Sequence, residues 1–363
     1  HITFGGYLPT FLHDELLRVF HQVDSIVRGE GEFTLLELAE KLKSGKSLED
    51  IPGLTFRKGE NLIINPPRSL IHPLDELSFP ARDTLPFLLK YQDYASICSS
   101  RGCYGKCTFC SIHSFYGRSK GPKWRARSAS DVVDEMEKLA QNYNLTKFAF
   151  PDDNFIGPGR KGKLRAMEIA KEILKRGLKV RFSILARATD VDPALFAFLK
   201  AAGMGTIFVG FESGVDRALK TFAKMATVED NKKAARIIKN LGLKCYPGFM
   251  MFDPYTTLDE VKANLEFTAF LESGGEFIEI DDLFNSLQPF VGTPIYYRLK
   301  EEDRLYRKPS SLLPYDVLPA YKIADQRVEL LREKAREFRH KMAKVNYINF
   351  EKLFRDVPSL AKN

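Results

Sequence analysis

Ser100-Arg101-Gly102-Cys103-Tyr104-Gly105-Lys106-Cys107-Thr108-Phe109-Cys110 carries three of the five cysteines in a chain of 363 residues. The spacing is Cys-x3-Cys-x2-Cys, inside one loop punctuated by two glycines. A structural zinc site is closed by four ligands, and His113, three residues past Cys110, can serve as a fourth. A cubane [4Fe–4S] cluster also has four irons, normally held by four thiolates. Three thiolates leave one iron open to a substrate or a cofactor. The other two cysteines, Cys98 and Cys245, lie in apolar runs and read as core thiols.

Hydrophobic residues make up 44% of the chain and aromatics 12%, enough for a large core. No run of about eighteen apolar residues occurs, so no membrane span is expected, and no signal peptide is visible. Clustered free cysteines point to a reducing, cytoplasmic setting rather than to disulfides. The net charge of +8 is mild and reads as a solvated basic surface. The first residue is His1 rather than Met, so a preceding segment is expected.

Before the cysteine loop, His1–Phe4 reads as a strand, and Gly5-Gly6 breaks it. A helix runs through Leu12, Leu16, Leu17 and Phe20. A second strand, Val23–Val27, leads through Arg28-Gly29-Glu30-Gly31-Glu32 into a helix over Phe33–Leu42. This alternation is that of a doubly wound α/β unit. After it, strand candidates at Tyr94–Ser99, Lys147–Pro151, Val180–Leu185, Thr206–Phe211, Leu243–Met251 and Phe277–Leu287 alternate with helical patterns. Those fall at Ala129–Tyr143, Lys163–Arg176, Pro193–Ala202, Val228–Leu241 and Leu258–Glu272. Ser128 or Ser130, Asp192 and Thr257 are candidate caps, and Gly177, Gly203 and Gly242 candidate left-handed terminators. Alternation demands a parallel sheet, and six units make a partial (β/α)6 barrel.

In parallel barrels chemistry gathers at the carboxyl ends of the strands. Those ends carry, in order, the cysteine loop, Asp152-Asp153-Asn154-Phe155, Arg187, Glu212-Ser213-Gly214, Asp253-Pro254 and Gln288-Pro289. Near the carboxyl terminus Val328, Leu331, Ala335, Phe338, Met342 and Val345 step by three and four, predicting one amphipathic helix. Its other face is basic (Arg327, Arg332, Lys334, Arg336, Arg339, Lys341, Lys344) and interleaved with glutamates. Trp124, the only tryptophan, follows the cysteine loop with Arg125 and Arg127; it is assigned to core or substrate side.

Cys-x3-Cys-x2-Cys with an aromatic, Phe109, before the last cysteine resembles the signature of the radical S-adenosylmethionine (SAM) superfamily. Gly5-Gly6-Tyr7-Leu8-Pro9-Thr10 and Arg28-Gly29-Glu30-Gly31-Glu32 resemble the second half of the cobalamin-binding domain found in one branch of it. Ile51–Arg57, Leu74–Leu77 and Phe79–Arg82 resemble that branch's connecting segment. The resemblance implies a [4Fe–4S] cluster on Cys103, Cys107 and Cys110. It implies SAM contacts from Phe109, Asp152, Asp153, Asn154, Arg187, Glu212 and Ser213. Cobalamin contacts would come from Gly5, Gly6, Tyr7, Pro9, Thr10, Gly29, Glu30 and Gly31. No histidine here matches the branch's Asp-x-His-x-x-Gly motif, which belongs to the half of the domain absent from this sequence. The implied organisation is part of a cobalamin-binding-type domain at 1–73, a linker at 74–93, a radical SAM barrel at 94–300 and a helical extension at 301–363.

The implied function is reductive cleavage of SAM to a 5′-deoxyadenosyl radical, coupled to cobalamin-dependent methylation of an unactivated carbon. The implied partners are a small-molecule or peptide substrate and a flavodoxin- or ferredoxin-type one-electron reductant. Two alternatives stand beside this. One is a radical SAM cyclase or rearrangement enzyme without methyl transfer. The other is a zinc-dependent nucleic-acid-binding protein using Cys103, Cys107, Cys110, His113 and the basic tail, although nucleic acid is not expected as a partner.

Overall fold

The computed structural model describes residues 1–273, 285–306 and 320–337. At the amino end, β1 (Thr3–Gly5) and β2 (Ser25–Val27) pair in parallel, joined by two short helices, α1 (Tyr7–Phe11) and α2 (His13–Val19). The expected single helix is thus two. The loop after β2 leads into α3 (Glu32–Ser44). The hairpin β3 (Leu54–Lys58) and β4 (Asn61–Ile64) then adds antiparallel to β2, giving a four-stranded sheet in the order β1-β2-β3-β4. Residues expected to begin a connecting segment therefore belong to this sheet. Thr55 and Phe56 alternate between its two covered faces, and both are buried.

The main sheet is parallel, in the order β11-β10-β9-β8-β5. Its strands are β5 (Ala95–Ser96), β8 (Lys147–Ala149), β9 (Arg181–Arg187), β10 (Met204–Glu212) and β11 (Lys244–Phe249). Spatial order follows chain order, as right-handed crossovers through helices require. The expected first strand is split: β5 stops at Ser96, and Ser100–Arg101 (β6) pairs antiparallel with Arg125–Ala126 (β7) as a small ribbon. Most of the expected sixth strand lies outside the described residues; Ser286, within its end, bridges Phe252 in parallel.

The crossovers are α5 (Ser111–Gly117), α6 (Ala129–Tyr143), α7 (Gly159–Lys175), α8 (Pro193–Ala201), α9 (Asp216–Thr221), α10 (Val228–Asn240) and α11 (Leu258–Glu272). Ser128, Asp192 and Thr257 accept hydrogen bonds from Asp131, Leu195 and Glu260 backbone N–H groups, so each caps its helix as expected. Gly177, Gly203 and Gly242 are left-handed at φ 65°, 112° and 59°. Phe148, Phe150, Phe182, Ile184, Ile207, Val209 and Phe211 put the strands' apolar faces into one continuous core. Each such burial contributes roughly 1.5–3 kcal/mol. A second cluster joins Phe11, Leu16, Leu17 and Ile26 of the amino-terminal sheet to Phe115 and Tyr116 of α5, directly after the cysteines. Among the described residues no helix is long and apolar enough to cross a membrane.

Residues 326–337 are helical, as the periodicity predicts. Phe338, Met342 and Val345 lie outside the described residues. The buried stripe differs from the expected one. Val328 and Arg332 are fully buried while Leu331 is 40% exposed. Arg332 turns inward because its Nη2 donates to the Tyr321 carbonyl at 2.7 Å and to Glu329, with the guanidinium 4.6 Å from the Tyr321 ring centroid. Arg332→Ala should therefore destabilise the fold by roughly 1–3 kcal/mol, and Leu331→Ser by less than about 0.5 kcal/mol, as read by denaturant unfolding.

Candidate active site at the carboxyl ends of the strands

The cysteine loop is tied down where it leaves the sheet. The Asp152 carboxylate accepts from Ser99 N at 2.8 Å and from the hydroxyls of Ser99 and Ser100, the latter at 2.8 Å. It is 2% exposed, and burial raises its pKa against the opposing pull of Arg165. Arg165 donates to the carbonyls of Ser99, Arg127 and Phe155. Asp153 turns the other way and accepts from Gly102 N at 2.8 Å. Gly102 has φ 80°, and a Cβ there would stand 1.8 Å from the Lys123 carbonyl oxygen, so no other residue fits. At the far end Thr108 binds the Phe222 carbonyl through its N–H and the Thr221 carbonyl through its hydroxyl, both at 2.9 Å.

The three thiols lie along this loop, Cys107 buried and Cys103 and Cys110 half-buried. Burial pushes the Cys110 thiol up to about 12, and the nearby Cys107 and Cys103 add to the rise. Burial also raises Cys103, which the Gly105 N–H (3.3 Å from Sγ) and Arg187 partly offset. A single tetrahedral ion needs ligands converging on one point. Among the described residues, no group of three His, Cys, Asp or Glu side chains does so. The three thiols stand near one another, since Cys107 opposes ionisation of both Cys103 and Cys110. A trio of thiolates is the donor set that a cluster with one open iron takes.

Across the loop stands Arg187, 5% exposed, at the end of β9. Its Nη1 lies 3.5 Å from Cys107 Sγ, its Nη2 donates to the Lys224 carbonyl, and its buried Nε has no hydrogen-bond partner among the described residues. A Cβ on Gly105 would come within 2.2 Å of Nη1, so the glycine leaves room for the guanidinium. Tyr104 packs on Arg187 at 5.4 Å and donates to Asp190, whose other oxygen accepts from Asn154 Nδ2 at 2.7 Å. Beside Arg187, the buried Lys224 pairs with Glu212 at 2.7 Å. Three non-glycine residues here are left-handed: Glu212 (φ 67°), Ala223 (φ 49°) and Met225 (φ 55°). Each such residue costs of order 1–3 kcal/mol, and strain of this kind gathers at functional sites.

Of the expected SAM contacts, Phe109 lies within the cysteine loop, Asp153 and Arg187 touch it, and Glu212 stands one step further off, paired with Lys224. Phe109 is half-buried, edge-on to Phe222 at 5.4 Å. Three other expected SAM contacts are engaged inside the protein. Asp152 is saturated as described. Asn154 is fully buried between Asp190 and the Gly157 N–H. The Ser213 hydroxyl, 1% exposed, donates to Asn264 Oδ1 at 3.0 Å. Asp253, also expected at the mouth, is buried in a two-pronged pair with Arg217. Lys224, Tyr104 and Asp190 were not anticipated. The signal for Asp190 was its place three residues after Arg187, where its carboxylate accepts from the Arg187 N–H at 3.3 Å.

At the amino-terminal sheet, Gly5, Gly6 and Tyr7 are exposed, whereas Thr10 is buried and accepts from Gly29 N at 3.0 Å. Pro9, Gly29 and Gly31 are half-buried. Glu30 departs from expectation: its carboxylate is buried against Arg101, Arg125 and the Ile71 N–H, so it has no face left for a ligand. Cys98, expected in the core, lies past the end of β5 and is exposed, its thiol donating to the Ser100 carbonyl at 3.2 Å; Cys245 is buried as expected.

The radical SAM superfamily profile matches residues 97–268. That span begins just before the cysteine loop and covers the five-stranded sheet but for β5. Just under half of the chain thus matches the radical SAM superfamily. It is 30% identical over 300 residues to an uncharacterized methyltransferase of Pyrococcus horikoshii, covering 81% of this chain and 62% of that protein. It is 26% identical to the 4′-phospho-dehydrooxetanocin synthase of Priestia megaterium, covering 90% and 45%. Among solved structures, the cobalamin-dependent SAM radical enzyme OxsB, with aqua-cobalamin and SAM bound, superposes with a TM-score of 0.78. Identity to it is 24%, over 92% of this chain and 53% of OxsB. The radical SAM methyltransferase TsrM from Kitasatospora setae gives 0.68 at 20% identity, over 85% and 61%. The chain thus spans between 45% and 62% of the length of these relatives.

Burial and the neighbouring Asp152 push Asp153 up to about 6, against the pull of the Gly102 N–H. A carboxyl raised on folding stabilises the native state while protonated. That contribution is present below the unfolded value and is lost as pH rises from about 4 through about 6. The metal-free chain should lose up to roughly 2 kcal/mol across that window, and Asp153→Asn should flatten the slope, as read by unfolding at each pH.

Proposed function

We propose that this chain is part of a radical SAM enzyme, a cobalamin-dependent methyltransferase acting on an unactivated carbon. The observation that carries the reading is the cysteine loop at the carboxyl ends of the parallel strands, with the partnerless Nε of buried Arg187 beside it. When bound, the cluster and SAM supply reductive cleavage to a 5′-deoxyadenosyl radical, chemistry that belongs to the cofactors.

The chain's own residues hold and orient. Cys103, Cys107 and Cys110 are the cluster ligands and must give up their protons to bind metal. Arg187, with Lys224 next to it, suits the SAM carboxylate, and Asp153 suits its ammonium. Phe109 and Glu212 complete the wall around the adenosine. Gly5-Gly6-Tyr7 and Gly29 are the surface offered to cobalamin. The apolar strand core below excludes water from the reacting centre.

The domain division at residues 73, 93 and 300 belongs to this proposal, as do a cytoplasmic setting, a one-electron reductant and a small-molecule or peptide substrate. Methyl transfer is supported by the names of relatives such as the hopanoid C-3 methylase of Methylococcus capsulatus, 29% identical over 247 residues. A second outcome, ring formation without methyl transfer, is supported by 28% identity over 321 residues to the anaerobic magnesium-protoporphyrin IX monomethyl ester cyclase of Cereibacter sphaeroides.

Anaerobic reconstitution with iron and sulfide should give brown protein that forms 5′-deoxyadenosine from SAM under reduction. Cys107→Ala should abolish that product, and turnover at the wild-type rate in this variant would remove the reading. SAM labelled in its methyl group separates the two outcomes by whether label reaches product.

A further inference from the structure

The ribbon of β6 and β7 presents Cys103, two residues past Arg101, and it contains a charge conflict. Arg101 and Arg125 are directly opposite each other in its antiparallel register. Like charges opposite one another on paired strands repel, and here one is fully buried and the other only 22% exposed. What offsets the repulsion comes from the amino-terminal sheet. Glu30, in the loop between β2 and α3, places Oε1 2.9 Å from Arg101 Nη1 and 2.9 Å from Arg125 Nη1. Its Oε2 stands 2.7 Å from the same Arg125 nitrogen and 2.7 Å from Ile71 N. Arg125 makes no other ion pair among the described residues, where its Nε and Nη2 also have no hydrogen-bond partner. Arg101 has a second, more exposed one in Glu32.

We propose that Glu30 is a positioning residue for the cysteine loop: one carboxylate from the amino-terminal sheet clamps the two opposed arginines and so sets where Cys103 stands. The amino-terminal sheet is then a determinant of the cluster site as well as a neighbour of it. The loop that carries Glu30 is also held to α1, because Gly29 N donates to the Thr10 hydroxyl, which donates in turn to the Gly6 carbonyl at 2.7 Å. A ligand that shifts the Gly6 and Gly29 turns acts on the cysteine loop through this chain of bonds. Its catalytic meaning rests on Cys103 being a cluster ligand; the coupling itself is a property of the metal-free chain.

The test is amide hydrogen exchange on the metal-free full chain, which reports local opening segment by segment. In Glu30→Gln the 100–110 segment should exchange at least about tenfold faster, since charge-assisted bonds to two arginines are lost. The β9 and β10 amides should keep their rates. Arg101→Gln leaves the buried Glu30–Arg125 pair intact and should produce the same local acceleration, so it carries the test if Glu30→Gln does not fold. Glu30→Asp should recover part of the protection. Glu32→Gln, altering the exposed partner only, should stay within about twofold of wild type. After reconstitution, Glu30→Gln should lose iron to a chelator faster than wild type. Wild-type exchange of 100–110 in Glu30→Gln or in Arg101→Gln overturns the proposal, as does equal acceleration in Glu32→Gln. If wild type takes up no iron while Glu30→Gln still accelerates exchange, the cluster reading fails and the coupling stands.

Discussion

Ser99 and Ser100 end the first stretch of the barrel by donating three hydrogen bonds to one buried carboxylate, Asp152. A buried carboxylate is tolerable only when its oxygens are satisfied, and these two serines with Arg165 nearby are what satisfy it. The arrangement fixes the chain direction just before Gly102 and Cys103. It also ties the end of the first strand to the loop after the second. The next residue, Asp153, continues the same restraint through Gly102 N. Two adjacent aspartates thus do different work. One is spent on geometry, and the other keeps a face toward the cysteine loop.

The mouth of the barrel is built by the same economy. The buried Arg187 guanidinium has no carboxylate partner among the described residues, and its near neighbours are a thiol, a carbonyl and an aromatic ring. Lys224 lies next to it with Glu212 as its ion-pair partner. At this place Ala223, Met225 and Glu212 all take left-handed backbone, a geometry that the surrounding packing must impose, and the guanidinium of Arg187 is left without an ion-pair partner among the described residues. That is the electrostatic setting an anionic group would need, and it lies within reach of the thiols.

Much of this was legible before any coordinates. Helix limits at Ala129–Tyr143 and Leu258–Glu272 follow from caps and periodicity, and the parallel sheet from alternation. The cysteine loop follows from spacing alone. What sequence could not separate was the role of neighbouring polar residues. Asp152 and Asp153 have the same side chain, yet only the course of the loop past β8 decides which of them points into the core. Glu30 sits in a glycine-rich turn that looks made for a ligand, but its partners Arg101 and Arg125 are 71 and 95 residues away in the chain. Arg332 looked like part of a basic face because periodicity counts charge as outward, whereas Tyr321 gives it an inward partner. Lys224 was missed since no glycine marks the strained backbone on either side of it.

Trp124 has a consequence outside chemistry. Its indole donates to the Asn154 carbonyl at 2.9 Å and rests so close to Gly157 that a Cβ there would overlap the ring. Arg165 lies 5.9 Å from its ring centroid. Being the sole indole of a chain with 14 tyrosines, it makes emission excited beyond the tyrosine absorption band a single-site signal, originating just behind the loop that carries Asp152 and Asp153. Emission from the unmodified protein therefore reads the state of that loop without any introduced dye.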